Sequence, residues 1–439
     1  MCRGRAGGSG YRLCRCNRLP QHRLDVGKWL SSMTGRHHSA ALLWATLLAT
    51  APAGAQSAGN QGLTGDWGGA RSDLASSGFS LRGDITGFAQ GQIAGTGDKV
   101  WDASGRYDAF VDLDFGKMGL IKGLGFHVHG EGRFGDGQSN FGFQLWPANA
   151  GVALPLGGES FAATSLYFTQ SFDKRTVLMF GKINAVDLLA GDPVFGGWGT
   201  QRFTHFVLVA PPSGVVPATI MGGVLVHKGD PISLTVMVFD PEDRTRDYFP
   251  GDLFKTGVNI SVGATWGGTI AGRASSIGVT STVSTKRGAD LEDILAPPGL
   301  ITDDIKGSYN IALQFTHRLV ESSQVAGRGL DLAIKVATAD GNPNLIRRSL
   351  VIGLAGHGLV PGRPNDSFGI GGFAYDFSNA LQDAVDPLVT FTDEQGVDAW
   401  YSFALTPWFK LTADAQVINP ARGTADIAVI TGLRANLAF

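Results

Sequence analysis

The chain has 439 residues, of which 36 are basic and 38 are acidic, so its formal net charge is −2. Residues 1–55 hold eight of the basic residues and one of the acidic residues, which leaves a net charge of −9 on residues 56–439. This negative net charge argues against a nucleic-acid partner. All three cysteines, Cys2, Cys14 and Cys16, lie in residues 1–55, which excludes a disulfide, a thiolate metal site or a cysteine nucleophile from the rest.

The first predicted element is a signal peptide that ends at Ala55. Basic residues around Arg36 precede an apolar run from Ala40 to Ala51, and Ala53-Gly54-Ala55 follows as a small-residue cleavage site. A membrane-spanning helix would need about 20 apolar residues, and this run is shorter and ends at Pro52. We therefore expect residues 1–55, the extension and the signal peptide, to be removed. Met33 would make a more ordinary translation start than Met1.

Residues 56–439 read as a β-rich chain without a linker. Glycine accounts for 63 of the 439 residues, about twice its average usage, and it is spread along the whole chain. Glycine disfavours helices and is common at turns and strand bends. Because hydrophobicity is moderate and no segment reaches the length of a spanning helix, a membrane protein of this composition is predicted to be a β-barrel.

The first three predicted strands each have one apolar and one polar face. In the second, Tyr107, Val111 and Phe115 alternate with charged residues such as Arg106 and Asp108. Side chains of the third alternate in the same way, with His127, His129, Glu131 and Arg133 on its polar face. Charges facing lipid would each cost up to about 2–4 kcal/mol, so the polar faces are predicted to line a lumen.

Thirteen further segments repeat this alternation less cleanly, which predicts sixteen strands in all. An even number suits a bacterial barrel, and about sixteen strands leave an aqueous channel. Short and long connections alternate, as in barrels with short periplasmic turns and longer outer loops. The short ones include Gly267–Gly268 and Thr406-Pro407. The further segments are 162–171, 175–184, 217–227, 231–240, 256–266, 270–283, 307–318, 329–339, 347–357, 367–377, 395–404, 408–418 and 424–439.

Two loops and the last segment carry further expectations. The connection 185–216 holds Trp198, Arg202 and several phenylalanines, so it is predicted to fold into the barrel mouth as a constriction rather than pack on the rim. The loop with Trp146-Pro147 is a second candidate. Residues 424–439 alternate up to Phe439, which predicts a last strand that pairs with the first.

The chemical motifs give no positive evidence for catalysis. His127, His129 and Glu131 share one strand face, but same-face residues lie about 7 Å apart, so a metal site would need a ligand from another strand. A wet pore lining is therefore the favoured interpretation. The segment Gly130–Gly135 fits G-x-G-x-x-G, yet a loop and not a helix follows it, so phosphate binding is not predicted. Neither a metal nor a cofactor is expected.

Five segments resemble the OprB-type family of carbohydrate-selective outer-membrane porins, and the resemblance spans nearly all of residues 56–439. The most specific are Gly65-Asp66-Trp67-Gly68-Gly69-Ala70-Arg71 and the stretch from Trp400 through Leu405–Thr412 to Pro420. The others are Ser165–Phe168, Gly181–Ile183 and Gly432–Arg434.

This resemblance implies a sixteen-stranded transmembrane barrel, residues 78–439, in the outer membrane of a Gram-negative bacterium. It also implies a periplasmic segment, residues 56–77, with a short helix that Ala70 to Ser77 would supply, and passive diffusion of mono- or oligosaccharides past inward-folded loops. Charged and aromatic side chains line such constrictions. Placed on inward positions of this chain, the candidates are Arg106, His127, His129, Glu131, Arg133, Lys182, Trp198 and Arg202.

Three alternatives stay open from the sequence. A general diffusion porin would share the barrel without a preference for sugar, a barrel metalloenzyme would use the face of His127, His129 and Glu131, and an adhesive barrel would have a blocked lumen. Outer-membrane lipid is an expected partner of any of the barrels, and a homotrimer is possible because many porins are trimers.

Overall fold

The computed structural model describes residues 62–135, 141–155, 160–211, 216–295, 304–386 and 388–439. The predicted signal peptide lies outside the described residues. Within the described ranges, no helix is long and apolar enough to cross a membrane.

Sixteen antiparallel strands form one closed barrel, in which each strand pairs with its neighbours in sequence and the last pairs with the first. The predicted sixteen strands and the predicted pairing of the last strand with the first are confirmed. The strands are β1 (Phe79–Ala94), β2 (Trp101–Asp114), β3 (Leu124–Gly135), β4 (Phe161–Ser171), β5 (Thr176–Asn184), β6 (Thr219–His227), β7 (Ile232–Phe239), β8 (Asn259–Ile270), β9 (Arg273–Ala289), β10 (Asp304–Glu321), β11 (Gly329–Ala339), β12 (Ile346–His357), β13 (Ser367–Phe377), β14 (Glu394–Ala404), β15 (Phe409–Asn419) and β16 (Ala428–Ala438).

The outer wall is apolar because alternate residues of the strands are aliphatic. Val279, Leu313 and Ile352 are about half exposed, while their neighbours in sequence Thr280, Gln314 and Val351 are buried inside the barrel. A side-chain period of two thus separates the two surfaces as the sequence predicts. The exposed aliphatic face suits hydrocarbon, and the polar face suits a lumen.

The two ends of the barrel differ in the length of their connections. We call the end with the connections 115–123, 172–175, 228–231, 271–272, 322–328, 358–366 and 405–408 the turn end, and the opposite end, where the longest loops lie, the loop end. One turn was predicted wrongly, because Gly267 and Gly268 lie inside β8. The chain instead turns at Ala271 and Gly272, which both have positive φ, 51° and 73°. A two-residue hairpin of this kind matches the twist of the strands.

A short helix, α1 (Ala70–Ser77), precedes β1 at the turn end, as the family resemblance implies. It begins after Gly69 and ends before Gly78, whose left-handed φ of 100° suits glycine. The buried guanidinium of Arg71 donates hydrogen bonds of 2.8 Å to the backbone oxygens of Leu81 and Phe439. Because these residues flank the junction of β1 with β16, the helix ties down the place where the barrel closes.

The hydrophobic core lies inside the barrel, between its inner wall and loops that fold inward from the loop end. Four short helices stand in these loops: α2 (Ala150–Ala153), α3 (Ala185–Leu189), α4 (Phe206–Val209) and α5 (Asn379–Val385). One cluster of buried residues joins α2, α3 and α4 to β5, β6 and β7. Another joins the same loops to β11–β16.

Candidate functional site

The inner faces of β2 and β3 bring together a buried cluster of charged side chains. Their register places Asp108 opposite Glu131 and Arg106 opposite Arg133. Arg106 is fully buried, and its guanidinium donates to both oxygens of Asp108, at 2.6–3.0 Å, and to Glu131. Such charge-assisted bonds offset the cost of burying three charges in a wall that water barely reaches.

His129 continues this cluster toward the turn end. Its Nε2 lies 2.8 Å from a carboxylate oxygen of Asp108, and its Nδ1 lies 2.8 Å from one of Asp187. A carboxylate accepts hydrogen bonds, so both ring nitrogens must donate, and the geometry requires the doubly protonated imidazolium. The ring also stacks on Phe110, with centroids 4.1 Å apart. His129 therefore bridges the wall and a loop residue.

We call the segment Ala185–Pro211 the inward loop, because both of its ends are fastened to the inner wall. Asn184 caps α3, since its side chain accepts from the backbone N–H of Val186 at 2.9 Å. Two residues into the loop, Asp187 also accepts from the Ser165 hydroxyl at 2.6 Å and the Trp198 indole N–H at 2.8 Å. Although burial acts to raise the pKa of Asp187, its charge interaction and hydrogen bond with His129 hold that pKa below its usual value.

Farther along, the inward loop reaches β14 and β16. The backbone N–H groups of Thr204 and His205 donate to Asp398 of β14, at 3.1 and 3.0 Å. Arg434 of β16 donates to the carbonyls of Gly199 and Arg202, at 3.0 and 2.8 Å. Together with the contacts of Asp187, these bonds hold the loop across the lumen.

A third set of contacts holds the middle of the inward loop against β11–β13. The Lys335 ammonium forms an ion pair of 2.7 Å with Asp192. Although burial acts to raise the pKa of Asp192, the Lys335 charge lowers it. Phe195 fits where β12 has Gly353, since an added Cβ on that glycine would lie 2.7 Å from the ring. Gly371 of β13 likewise makes room for Phe203, since an added Cβ on Gly371 would lie 3.0 Å from that ring.

The residue at the start of α4, His205, is fully buried and stacks on Phe373 with centroids 4.3 Å apart. Its Nδ1 accepts from the backbone N–H of Val207 at 3.3 Å. Burial lowers the pKa of His205 to about 3, because no carboxylate compensates the charged form. The imidazole is therefore neutral at neutral pH, unlike that of His129.

The structure brings three of the eight predicted site residues, Arg106, His129 and Glu131, into the buried cluster. Trp198 joins it through Asp187, and Arg202 lies in the inward loop with part of its surface exposed. Arg133 is half-buried and donates to the carbonyl of Val152 at 3.1 Å. That these residues contact sugar stays a prediction.

His127 and Lys182 lie apart from the cluster. His127 contacts Asp112 at 2.6 Å and Thr169 at 3.0 Å. Lys182 pairs in register with Leu166 and Met221, which places it on the outward-facing side of β5. Its buried ammonium donates to the carbonyl of Thr245 at 2.8 Å, beneath the loop that joins β7 and β8.

Several charged residues of the inner surface were not among the eight site residues predicted from the sequence. Asp108 and the half-buried Arg82 and Lys410 have inward positions that the alternation already indicates, but no feature of the sequence ranks them above other inward charges. Asp187 belongs to a loop, and alternation carries no information about where a loop folds. Its contact with His129 could be found only from the path of the chain.

The possible metal ligands on β2 and β3 differ from those of the sequence hypothesis. Asp108, His129 and Glu131 offer ligand atoms within 4.8 Å of one another, and His127 is not among them. The Arg106 guanidinium bridges the two carboxylates, and both nitrogens of His129 face carboxylates. The cluster thus has an internal cation where a metal ion would bind, and its geometry favours a rigid wall over a metal centre.

Comparison with known proteins decides the family. The family described as "Carbohydrate-selective porin, OprB family" matches residues 101–439, which is more than three quarters of the chain. The chain belongs to the OprB family of carbohydrate-selective porins. It is therefore a non-enzymatic outer-membrane barrel of a Gram-negative bacterium, and carbohydrate-selective passage is its function.

Two solved structures share this fold. The high-pH structure of Pseudomonas putida OprB has a TM-score of 0.74 at 17% sequence identity, and the match covers 87% of this chain and 99% of that one. Its low-pH structure has a TM-score of 0.55 at 17% identity, covering 86% and 98%. A search of curated proteins finds no significant match.

Proposed function

We propose that mono- or oligosaccharides diffuse passively from the loop end to the turn end, through the space between the inward loop and the inner wall. The observation that carries this proposal is the inward loop itself, which is fastened to β3 and β4 through Asp187 and to β14 and β16 through Asp398 and Arg434. A loop fixed on both sides of a lumen makes a constriction of constant shape. Constant shape lets a pore select by hydrogen bonding as well as by size.

The predicted site residues divide into two roles in this proposal. Arg106, His129 and Glu131 are buried, so they position the wall and the inward loop rather than bind sugar. Arg133, Trp198 and Arg202 keep part of their surface exposed and contact the sugar. Guanidinium groups donate to hydroxyls, and an indole ring accepts the apolar face of a pyranose. Each contact must be weak, since flux requires release.

Liposome swelling tests the preference for sugar. Purified protein in liposomes is compared for glucose and for neutral amino acids of equal size, with protein-free liposomes as the control. We expect faster swelling in glucose. Equal rates for size-matched solutes would instead support a general diffusion porin, and no swelling in either would contradict an open pore.

Replacing Trp198 separates stacking from the hydrogen bond to Asp187. Both W198A and W198F lose the indole N–H, but only W198A loses the aromatic surface. We expect the glucose concentration for half-maximal block of the ion current to rise about fivefold in W198A and less in W198F, because ring contacts contribute about 0.5–1.5 kcal/mol. The matched control is W101A, on the outward face. Equal effects of W198A and W198F would show that the hydrogen bond, not stacking, matters.

We further propose that the turn end faces the periplasm and that the outer face contacts lipid or another copy of the chain. Beyond the wall, the loop between β7 and β8 exposes Tyr248, Phe249 and Phe254. These aromatic side chains suit a membrane interface or a subunit contact. A homotrimer is tested by light scattering of the detergent-solubilised protein, where a monomer mass would contradict it.

A further inference from the structure

Two buried carboxyl groups, those of Asp398 and Asp414, lie side by side on the inner face of β14 and β15, beneath the inward loop. Asp398 stands directly opposite Gln416, and Asp414 precedes Gln416 by two residues on the same face of β15. The Gln416 amide donates to Asp414 at 3.2 Å and to the Thr204 hydroxyl at 2.7 Å. Since the Thr204 backbone N–H donates to Asp398 at 3.1 Å, the same loop residue covers both acids. We call Asp398 and Asp414 the carboxyl pair.

The carboxyl pair lacks hydrogen-bond donors. Asp398 is fully buried and Asp414 is 7% exposed, yet no group among the described residues donates to Oδ1 of Asp398 or to Oδ2 of Asp414. The amide oxygen of the fully buried Gln416, beside them, has no donor either. The two carboxyl groups lie within hydrogen-bond reach of each other. A buried site with several unpaired acceptors requires a bound species that supplies a donor.

The cation nearest to the carboxyl pair does not supply this donor. The Arg434 guanidinium donates to the carbonyls of Gly199 and Arg202, and its buried Nε has no hydrogen-bond partner among the described residues. Its positive charge acts on both carboxyl groups without a direct hydrogen bond to either. Two ionised carboxylates beside one guanidinium would leave a net negative charge in a buried site, which is costly. One proton on the pair makes the site neutral.

The other neighbours of the carboxyl pair add no charge at neutral pH. His205 of the inward loop is neutral there and uses its backbone N–H to donate to Asp398. On the other side of β14, the residue opposite Asp398 is Gly371 of β13. The next inward ionisable groups on the two strands lie four residues farther along the chain; they are Glu394 and Lys410.

We propose that the carboxyl pair binds one proton, shared between Oδ1 of Asp398 and Oδ2 of Asp414, and that this proton fastens the inward loop to β14. Two carboxyl groups at hydrogen-bond distance in a buried site do not both ionise, because like charges repel strongly where water is excluded. The shared proton leaves Asp398 Oδ2 free to accept from the loop backbone. This inference concerns the loop and does not depend on which solute passes it.

The proposal makes the inward loop sensitive to alkaline pH. Neighbouring strands hold the two carboxyl groups together whether or not the loop covers them, so the pair keeps its proton through acid and neutral pH. The packed loop excludes water and therefore binds the proton more tightly than the released loop does. Its contribution to packing is complete at lower pH and is lost as the pH rises and the proton leaves.

Single-channel recording of the full barrel at pH 7.5 and at pH 9.5 tests this consequence. A released loop shows as a noisier current of higher conductance. We expect the noisy fraction of the wild-type current to rise about tenfold at pH 9.5. In D414N the amide donates to Asp398 without a titrating proton, so the noisy fraction should stay within about twofold. Loss of the Lys335 charge, which also holds the loop, would affect both proteins equally.

D383N, at an exposed position of α5, is the matched control and should respond to pH like the wild type. Infrared difference spectra between the two pH values identify the proton directly, because a protonated carboxyl group absorbs at a higher frequency than a carboxylate. We expect the wild type and D383N to lose one protonated carboxyl band on going to pH 9.5, and D414N to lack that band at both pH values.

Two results would overturn the proposal. If the wild type and D414N have the same carboxyl bands at pH 7.5, the pair holds no proton. If the wild-type current is as quiet at pH 9.5 as at pH 7.5 although the band is lost, the proton does not fasten the loop. The infrared spectra of the wild type alone decide the first point should D414N fail to fold, since absence of a protonated carboxyl band at pH 7.5 contradicts the shared proton.

Discussion

At the scale of single residues, Asp187 is the group that fastens the inward loop to the wall. It accepts from His129, Ser165 and Trp198, and replacing its carboxylate with an amide would leave the His129 charge with one partner fewer. We expect D187N to destabilise the loop by about 3 kcal/mol. Single-channel recordings should show a noisier current of higher conductance.

The control for this prediction is D383N, at an exposed position of α5. It removes the same charge at a residue with no hydrogen bond to the inward loop among the described residues, so its current should match the wild type. A quiet D187N channel of unchanged conductance would show that the loop is held by its apolar contacts alone.

His205 makes the inward loop sensitive to acid. Its pKa of about 3 in the folded loop lies below the ordinary value of 6.5, so a released loop binds a proton more readily than the packed one. The contribution of the neutral His205 to the stability of the packed loop is therefore complete above pH 6.5. This contribution falls as the pH drops toward 3, and about 2 kcal/mol of it is lost at pH 5. The lowered pKa of Asp187 adds a loss of the same sign at more acidic pH.

H205N keeps a side-chain acceptor at the start of α4 and removes the titration. We expect its current at pH 5 to stay as quiet as at pH 7.5, while the wild-type current becomes noisier. H227N, at a histidine near the turn end, should behave like the wild type. Equal pH responses of wild type and H205N would assign the acid sensitivity to other groups.

The direction in which a side chain points, inward or outward, was predictable where the residue follows the two-residue period of a strand. Arg106, His129 and Glu131 face inward as their alternation predicts, and Phe134 faces outward, 49% exposed. Lys182 does not follow the prediction, because β5 turns its odd-numbered residues inward, as the pairing of Ile183 with buried Ile220 shows. A one-residue error in phase moves a side chain to the other face of the wall.

At the scale of elements, the fit of the inward loop depends on inward glycines of β12 and β13. An added methyl on Gly353 would lie within 3.0 Å of Phe195 and Val194, closer than packed carbon atoms tolerate. We expect G353A to shift the loop, to cost about 1–3 kcal/mol and to change the single-channel conductance.

A neighbouring glycine supplies the control for G353A. The nearest atom to an added Cβ on Gly372 lies at an ordinary 3.6 Å, so G372A should leave the conductance unchanged. If both variants conduct like the wild type, the loop does not depend on this contact.

Among the elements, regular segments were more predictable than their connections. Strands β11 and β13 begin and end where the alternation predicts, and α1 spans the residues expected from the family resemblance. The Gly267–Gly268 turn was wrong because glycine marks strand bends as well as turns. The inward fold of residues 185–211 was expected from its apolar content, but its attachment points were not, since they depend on residues 193 to 235 positions away such as Asp398 and Arg434.

At the scale of the whole molecule, closure of the barrel depends on the junction of β1 with β16. Arg71 donates to backbone carbonyls on both sides of this junction. Removing its guanidinium leaves two partly buried acceptors without this donor, so R71A should lower the free energy of unfolding by about 1–3 kcal/mol. The measurement is the temperature at which the folded band is lost in semi-native gel electrophoresis.

R175A, in an exposed turn at the same end, is the matched control and should unfold at the wild-type temperature. An R71A barrel as stable as the wild type would show that the pairing of the two strands suffices for closure.

The central claim is that a fixed constriction inside a sixteen-stranded barrel passes sugars because it binds them weakly. Single-channel current titrated with glucose, beside a neutral amino acid of equal size, tests this most directly. We predict a saturable fall in conductance with glucose and a smaller, linear fall with the amino acid. A linear fall of equal slope for both solutes would contradict the account.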